Sequence, residues 1–289
     1  MLGLERVERD ASFFHLGGHS LSATRLVARV RQSFGVQLPL ASFFSSPSVA
    51  GLSRELASLQ ASSAELPPPT PLPPGAPLAL SPAQERLWFI HQLQPDSGAY
   101  HIPQAVELKG AVDIGALDSS LRWLLERHPV LRTTVSSQQG QPHAELAPVP
   151  AQVLQVEDGE EALARQPGWL TQRLHQESWR PFSLARGPLY RFLLLKGGGE
   201  RHVLLACFHH LVVDGLSLDI LFRELGEAYA ALHQGQQPPA PPVPLHYSDV
   251  AAWQRSDAVH ARDDAQLAYW THHLASAPRL LQLPTDKPR

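Results

Sequence analysis

Only one cysteine occurs in the chain, Cys207, so no internal disulfide and no cysteine-based zinc cage can form. It lies inside the apolar run VLLACF, where a small buried thiol with no chemical role is expected. Long apolar runs are missing as well, and no stretch has the length to span a bilayer. The first residues, MLGLERVERD, alternate charge with leucine where a secretory signal would place an apolar block. The expected compartment is the cytoplasm. Charge of one sign is also lacking: a formal net charge of −3 leaves no basic field for a phosphate backbone and no lysine run for an anionic membrane. With 43% hydrophobic residues, the 289-residue chain has enough apolar material for one large or two modest soluble domains.

Proline, by contrast, is concentrated. The stretch ASSAELPPPTPLPPGAP, residues 61–77, has almost no large apolar side chain and reads as an extended, semi-rigid polyproline segment. A linker over 60–77 then separates a short region, 1–59, from a longer one, 78–289.

In the first region Ala23, Leu26, Val27, Val30 and Phe34 recur at helical spacing, with Gly35 as a stop. SVAGLSRELASL predicts a second helix, capped at Ser48 with Val49, Leu52 and Leu56 in register. The region looks clipped at its start, because nothing ahead of Asp10 is long enough for a further helix. In the second region IPQAVELKG reads as a strand, and DIGALDSSLRWLLERH as a helix with Ile114, Leu117, Leu121 and Leu125 on one face. Two hairpins follow, LRTTVSS with PHAELA around QQGQ, and LYRFLLLK with RHVLLACF around GGGE. A helix opened by Ser217 and closed by Gly235 comes next. Interleaved strands and helices place this region in the α/β or α+β class with a mixed sheet.

Two motifs carry chemistry. In FFHLGGHSL, Ser20 follows a Gly-Gly turn at a helix start. One reading makes it an N-cap, its hydroxyl accepting a backbone N–H. The other makes it an attachment point for a phosphodiester, which the free amides and positive dipole end of a helix N-terminus favour. The longer string DASFFHLGGHSLSATRLVARVRQSFGVQLPLASFFSSPSVAGL resembles the peptidyl carrier proteins of nonribosomal peptide synthetases. That resemblance implies 4′-phosphopantetheine on Ser20, placed there from coenzyme A by a phosphopantetheinyl transferase. It also implies an all-α carrier bundle, here without the helix that family members place before LGLERV.

The second motif is HHLVVDG, residues 209–215, at the end of an apolar run. Successive strand side chains face opposite ways, so one of His209 and His210 should enter a site and the other should pack. Imidazole is the side chain suited to taking a proton from an attacking amine. A metal site ranks low, since no third ligand accompanies the pair. The motif resembles the HHxxxDG of condensation domains and their chloramphenicol acetyltransferase-like relatives. Four further stretches resemble the family in order: LSPAQERLWFIHQL from Leu80, RHPVLRTTV from Arg127, YSDVAAWQR from Tyr247, and YWTHHLASAPRLLQLPTDKPR to the end. Pro129 and Ser183 depart from residues common in the family.

The resemblance implies that His210 is catalytic, with His209, Asp214 and Gly215 supporting the motif. It pairs the Asp214 carboxylate with an arginine, for which Arg127, Arg132 and Arg86 are candidates. The implied chain is a carrier followed by the N-terminal lobe of a condensation domain, an α/β chloramphenicol acetyltransferase-like lobe. It would take a donor thioester from Ser20 to the amine of an aminoacyl group on a downstream acceptor carrier, with an adenylation domain upstream. No DFGWG-like segment of a second lobe is present, so the segment alone is expected to be inactive. The competing readings are a noncatalytic carrier and docking fragment, and an epimerization domain. LSPAQERLWF and YSDVAAWQ favour condensation over epimerization, and the histidine pair disfavours heterocyclization.

Overall fold

A computed structural model describes residue 4 and residues 6–36, 38–58, 66–197 and 201–278. Residues 59–65 at the start of the proline-rich linker, 198–200 at the tip of the GGGE turn and the chain from 279 onward lie outside the described residues. Two compact units form, Met1–Leu66 and Pro67–Arg289.

The first unit contains α1 (Ser20–Phe34), α2 (Leu40–Ser45) and α3 (Val49–Ser58). Its core joins Ala23 and Val30 of α1 to Phe13, Leu38 and Phe43, with Leu26, Val27, Leu52 and Leu56 packed against them. Phe34 does not join: one turn beyond Val30 it is exposed, because the chain reverses at Gly35, whose φ of +65° lets its N–H reach the Arg31 carbonyl at 2.8 Å. Ser48 caps α3 as its sequence predicts, accepting the Gly51 N–H at 3.1 Å. The Gly-Gly turn ahead of α1 has two separate causes. Gly17 holds φ +91°, and a Cβ on Gly18 would collide with the Phe13 ring.

The second unit runs α4 (Pro82–Leu93), β1 (His101–Lys109), α5 (Ile114–Arg127), a 3₁₀ turn (Pro129–Arg132), β2 (Thr133–Gln138), β3 (Gln141–Leu146), β4 (Leu154–Asp158), α6 (Glu160–Arg165), α7 (Trp169–Trp179), β5 (Tyr190–Lys196), β6 (Arg201–His209), α8 (Gly215–His233), α9 (Tyr247–Gln254) and α10 (Asp257–His273). Four strands form one sheet in the order β1-β6-β5-β4. The β1/β6 and β6/β5 pairs are antiparallel and β5/β4 is parallel, so the sheet is mixed. The β2–β3 hairpin stands apart, turning through Gln139 and Gly140, both with positive φ. Its first strand starts at Thr133, not Leu131, because Pro129–Arg132 winds into the 3₁₀ turn.

Both faces of the sheet are covered, which explains why β5 and β6 read as near-continuous apolar runs. Phe192, Leu194, Leu204, Ala206 and Phe208 share the main core with Leu117, Leu121 and Leu125 of α5 and Leu221 and Leu225 of α8. On the alternate positions Leu193, Leu195 and Leu205 meet Trp169, Leu170 and Leu174 of α7. Burial also pushes the Cys207 thiol up from its ordinary range, as suits a packing residue.

The proline-rich segment from Pro67 on is fastened to this unit. Trp253 of α9 donates its indole N–H to the Pro67 carbonyl (2.6 Å), and the Leu72 N–H donates to the buried Asp249 carboxylate (3.0 Å). Two residues of the stretch expected as a semi-rigid linker, Pro67 and Leu72, thus hydrogen-bond to this unit. Among the described residues no helix is long and apolar enough to cross a membrane.

Candidate functional site

β6 ends at His209 and the chain turns at His210, which separates the two imidazoles. His209 is 2% exposed, whereas His210 opens onto a cleft of about 370 Å³. The buried ring packs edge-on to Phe182, His91 and His101, and its Nδ1 accepts the Leu211 N–H at 3.0 Å. Burial, with the neighbouring His101, His91 and His210 rings, lowers its pKa to about 3, so it is neutral near pH 7.

His210 is held differently. Its backbone N–H donates to the Tyr100 carbonyl (2.8 Å), and its Nδ1 lies 2.9 Å from the Val213 carbonyl. A carbonyl can only accept, so Nδ1 carries the hydrogen and, in the neutral ring, Nε2 keeps a free lone pair. The cleft beside it is lined by Arg86, Leu87, Tyr100, His128, Val130 and Tyr247, among others.

The Asp214–arginine pairing expected from the resemblance is absent among the described residues. Asp214 is exposed and caps α8: its Oδ1 accepts the Ser217 N–H at 2.8 Å, and the Ser217 hydroxyl accepts the Asp214 N–H at 3.2 Å. The helix therefore starts at Gly215, two residues ahead of Ser217. The two leading arginine candidates are engaged elsewhere. Arg127 donates to the Glu224 carboxylate (3.1 Å) and the Pro241 carbonyl (2.9 Å), and Arg132 to the Leu125 and Ala147 carbonyls. Arg86 is exposed and makes no ion pair among the described residues. At Gly215 neither φ nor a close neighbour demands a glycine. Asp214→Ala should accordingly cost about 1 kcal/mol, the loss of a cap, and not the several kcal/mol of a broken buried pair. A drop of a few degrees in thermal midpoint, rescued by Asp214→Ser, would match this; loss of soluble protein would not.

The sequence reading does not anticipate Glu224, which also meets His128 Nε2 at 2.6 Å. Its signal is a carboxylate on the apolar face of α8 between Leu221 and Leu225, a position that demands a cationic partner.

Ser20 is the first residue of α1, not its cap. His19 takes the cap instead: its Nδ1 accepts the Ser22 N–H (3.4 Å), and its own N–H donates to the Ser22 hydroxyl (2.8 Å). That leaves the exposed Ser20 hydroxyl with no hydrogen bond among the described residues, at the positive end of a helix. A serine hydroxyl free of capping duty, at a helix N-terminus, fits a phosphodiester.

Residues 76–289 match the condensation domain family, and residues 1–56 match the phosphopantetheine attachment site. The chain belongs to the condensation domain family. It combines that domain with a phosphopantetheine carrier, the arrangement of nonribosomal peptide synthetases, and its cofactor is covalently attached 4′-phosphopantetheine. Over 290 residues it is 40% identical to malpinin synthetase of Mortierella alpina, covering 100% of this chain and 4% of that one. It is 39% identical over 305 residues to the dimodular nonribosomal peptide synthase of Bacillus subtilis, covering 100% of this chain and 12% of that one. The X-domain of teicoplanin biosynthesis, in complex with OxyB, superposes with a TM-score of 0.69 at 26% identity, over 79% of this chain and 50% of that one. For the first condensation domain of the calcium-dependent antibiotic synthetase with a substrate analogue, the TM-score is 0.62 at 25% identity, over 71% and 49% of the two chains. The chain thus spans a small part of the curated synthetases and about half of each solved domain.

Proposed function

We propose that this segment works in peptide-bond formation within a nonribosomal peptide synthetase, with residues 1–59 as carrier, 60–77 as linker and 78–289 as one lobe of the condensation domain. The observation that carries the reading is the His210 ring, its Nδ1–H committed to the Val213 carbonyl and its Nε2 left free beside the cleft. His210 Nε2 takes the proton of the acceptor amine as that amine attacks the donor carbonyl, or orients the amine while the tetrahedral centre forms. Proton handling at this atom needs no metal. The Val213 carbonyl holds the tautomer, and the buried, neutral His209 anchors the loop through the Leu211 N–H.

Ser20 would hold the 4′-phosphopantetheine, whose thiol supplies the donor thioester. The N-terminal end of α1 would favour its phosphate. A phosphopantetheinyl transferase, an upstream adenylation domain and a downstream acceptor carrier are the partners this chemistry requires, and the cytoplasm, where coenzyme A is at hand, is the fitting compartment.

Intact-protein mass after incubation with coenzyme A and a broad-specificity phosphopantetheinyl transferase tests the carrier assignment. One adduct is expected on the wild type and none on Ser20→Ala. An adduct that persists in Ser20→Ala would place the attachment elsewhere.

A further inference from the structure

The amide of Gln84 sits in the first turn of α4 and is 4% exposed, yet it belongs to neither motif that carries chemistry. Both ends are used. Its Oε1 accepts the Ser81 N–H at 3.0 Å, and its Nε2 donates to the Leu211 carbonyl at 3.0 Å. The orientation follows from the partners, because a backbone N–H can only donate and a carbonyl can only accept.

Leu211 follows His210 directly, so its carbonyl is one residue from the imidazole-bearing Cα. The His210 ring is held by the Val213 carbonyl, and the backbone of the turn makes further bonds. The Tyr100 carbonyl receives the His210 N–H, the His209 ring receives the Leu211 N–H, and the His209 carbonyl receives the Val212 N–H at 3.1 Å. Gln84 connects the turn to α4. That helix is itself fixed at its start by Ser81, whose hydroxyl accepts the Gln84 N–H (3.1 Å) and lies 3.0 Å from the Tyr247 hydroxyl of α9. Gln84 and Tyr247 both line the His210 cleft.

We infer that Gln84 is a positioning residue for the condensation step: by holding the Leu211 carbonyl it sets where His210 Nε2 stands in the cleft. This rests on the reading of His210 as the proton-handling group. Without the amide donor a buried carbonyl loses its partner, and the turn shifts to recover one. Displacements on the order of 1 Å at a reacting group can cost about 100-fold in rate.

The test is a double-mutant cycle in a synthetase carrying this segment, read as single-turnover amide formation between loaded donor and acceptor carriers, with thermal midpoints recorded alongside. Gln84→Met keeps the volume and removes both hydrogen bonds. Gln84→Asn keeps an amide that is one methylene too short to span Ser81 and Leu211, and it replaces the Met variant should that one fail to fold. Each is expected to lower the rate about 10- to 100-fold with His210 present, and to change it less than about 3-fold in the His210→Ala background. Equal losses in both backgrounds would show a general structural role and overturn the inference, as would an unchanged rate in either single variant. Full activity of His210→Ala alone would instead overturn the reading of His210, and that arm is scored separately.

Discussion

Acidification from about pH 7 to about pH 4.5 is expected to cost the fold about 2 to 3 kcal/mol through His209 alone. The ring is buried against His91 on α4, His101 on β1 and Phe182, and its pKa is lowered to about 3 from 6.5, burial being the largest cause. His101 and His91 are lowered as well, again chiefly by burial, with Arg191 adding to the effect at His101 and Asp96 opposing it at His91. The folded state therefore resists a proton that the unfolded chain accepts. Stability is fully present above about pH 6.5 and declines by about 1.4 kcal/mol per pH unit below it, until the folded ring itself titrates near pH 3. The full loss, on the order of 4 to 5 kcal/mol, approaches the whole stability of a marginal domain.

His209→Asn is the informative variant, because an amide oxygen can replace Nδ1 as acceptor for the Leu211 N–H and does not titrate. Urea unfolding at the two pH values should show a smaller acid loss in this variant than in the wild type, by about 2 kcal/mol. Equal acid losses would mean that His209 is not the group responsible.

Replacing His210 with alanine should act on rate and leave the fold alone. The His210 residue is exposed, its one side-chain hydrogen bond among the described residues is to the Val213 carbonyl, and that carbonyl can turn to water when the ring is gone. General acid–base help is typically worth about 100- to 10,000-fold, and a single-turnover loss in that range is expected. The two neighbours are therefore expected to respond differently, His209→Asn in acid stability and His210→Ala in rate, because one ring is buried and the other is exposed.

That one ring packs and the other stays exposed is legible in the sequence, because strand alternation makes adjacent residues at a strand end face apart. So is α5, whose Leu117, Leu121 and Leu125 are all buried, although Ile114 at the helix start, expected on the same face, is exposed. β4 and α7 are not, for a physical reason. β4 is an edge strand that keeps one face polar, and α7 only half-buries its apolar Trp169, Leu170 and Leu174 while burying the polar Glu177 and Ser178. Asp214 shows a different limit. Its carboxylate could meet an arginine or the start of a helix, and the choice depends on tertiary placement of Arg127 and Arg132, though Asp214 and Ser217 three residues on are a local capping signature. Gln84 divides the same way: Ser81 and Gln84 form a capping box readable from SPAQ, while the reach to Leu211 exists only once α4 packs beside the β6 end.

Single-turnover amide formation in a synthetase carrying this segment, with both carriers loaded, compares wild type and His210→Ala most directly. A rate reduced at least about 100-fold at an unchanged thermal midpoint is the expected result. A wild-type rate in His210→Ala, or a loss that tracks a lowered midpoint, would contradict the assignment of His210 as the group that handles the amine proton.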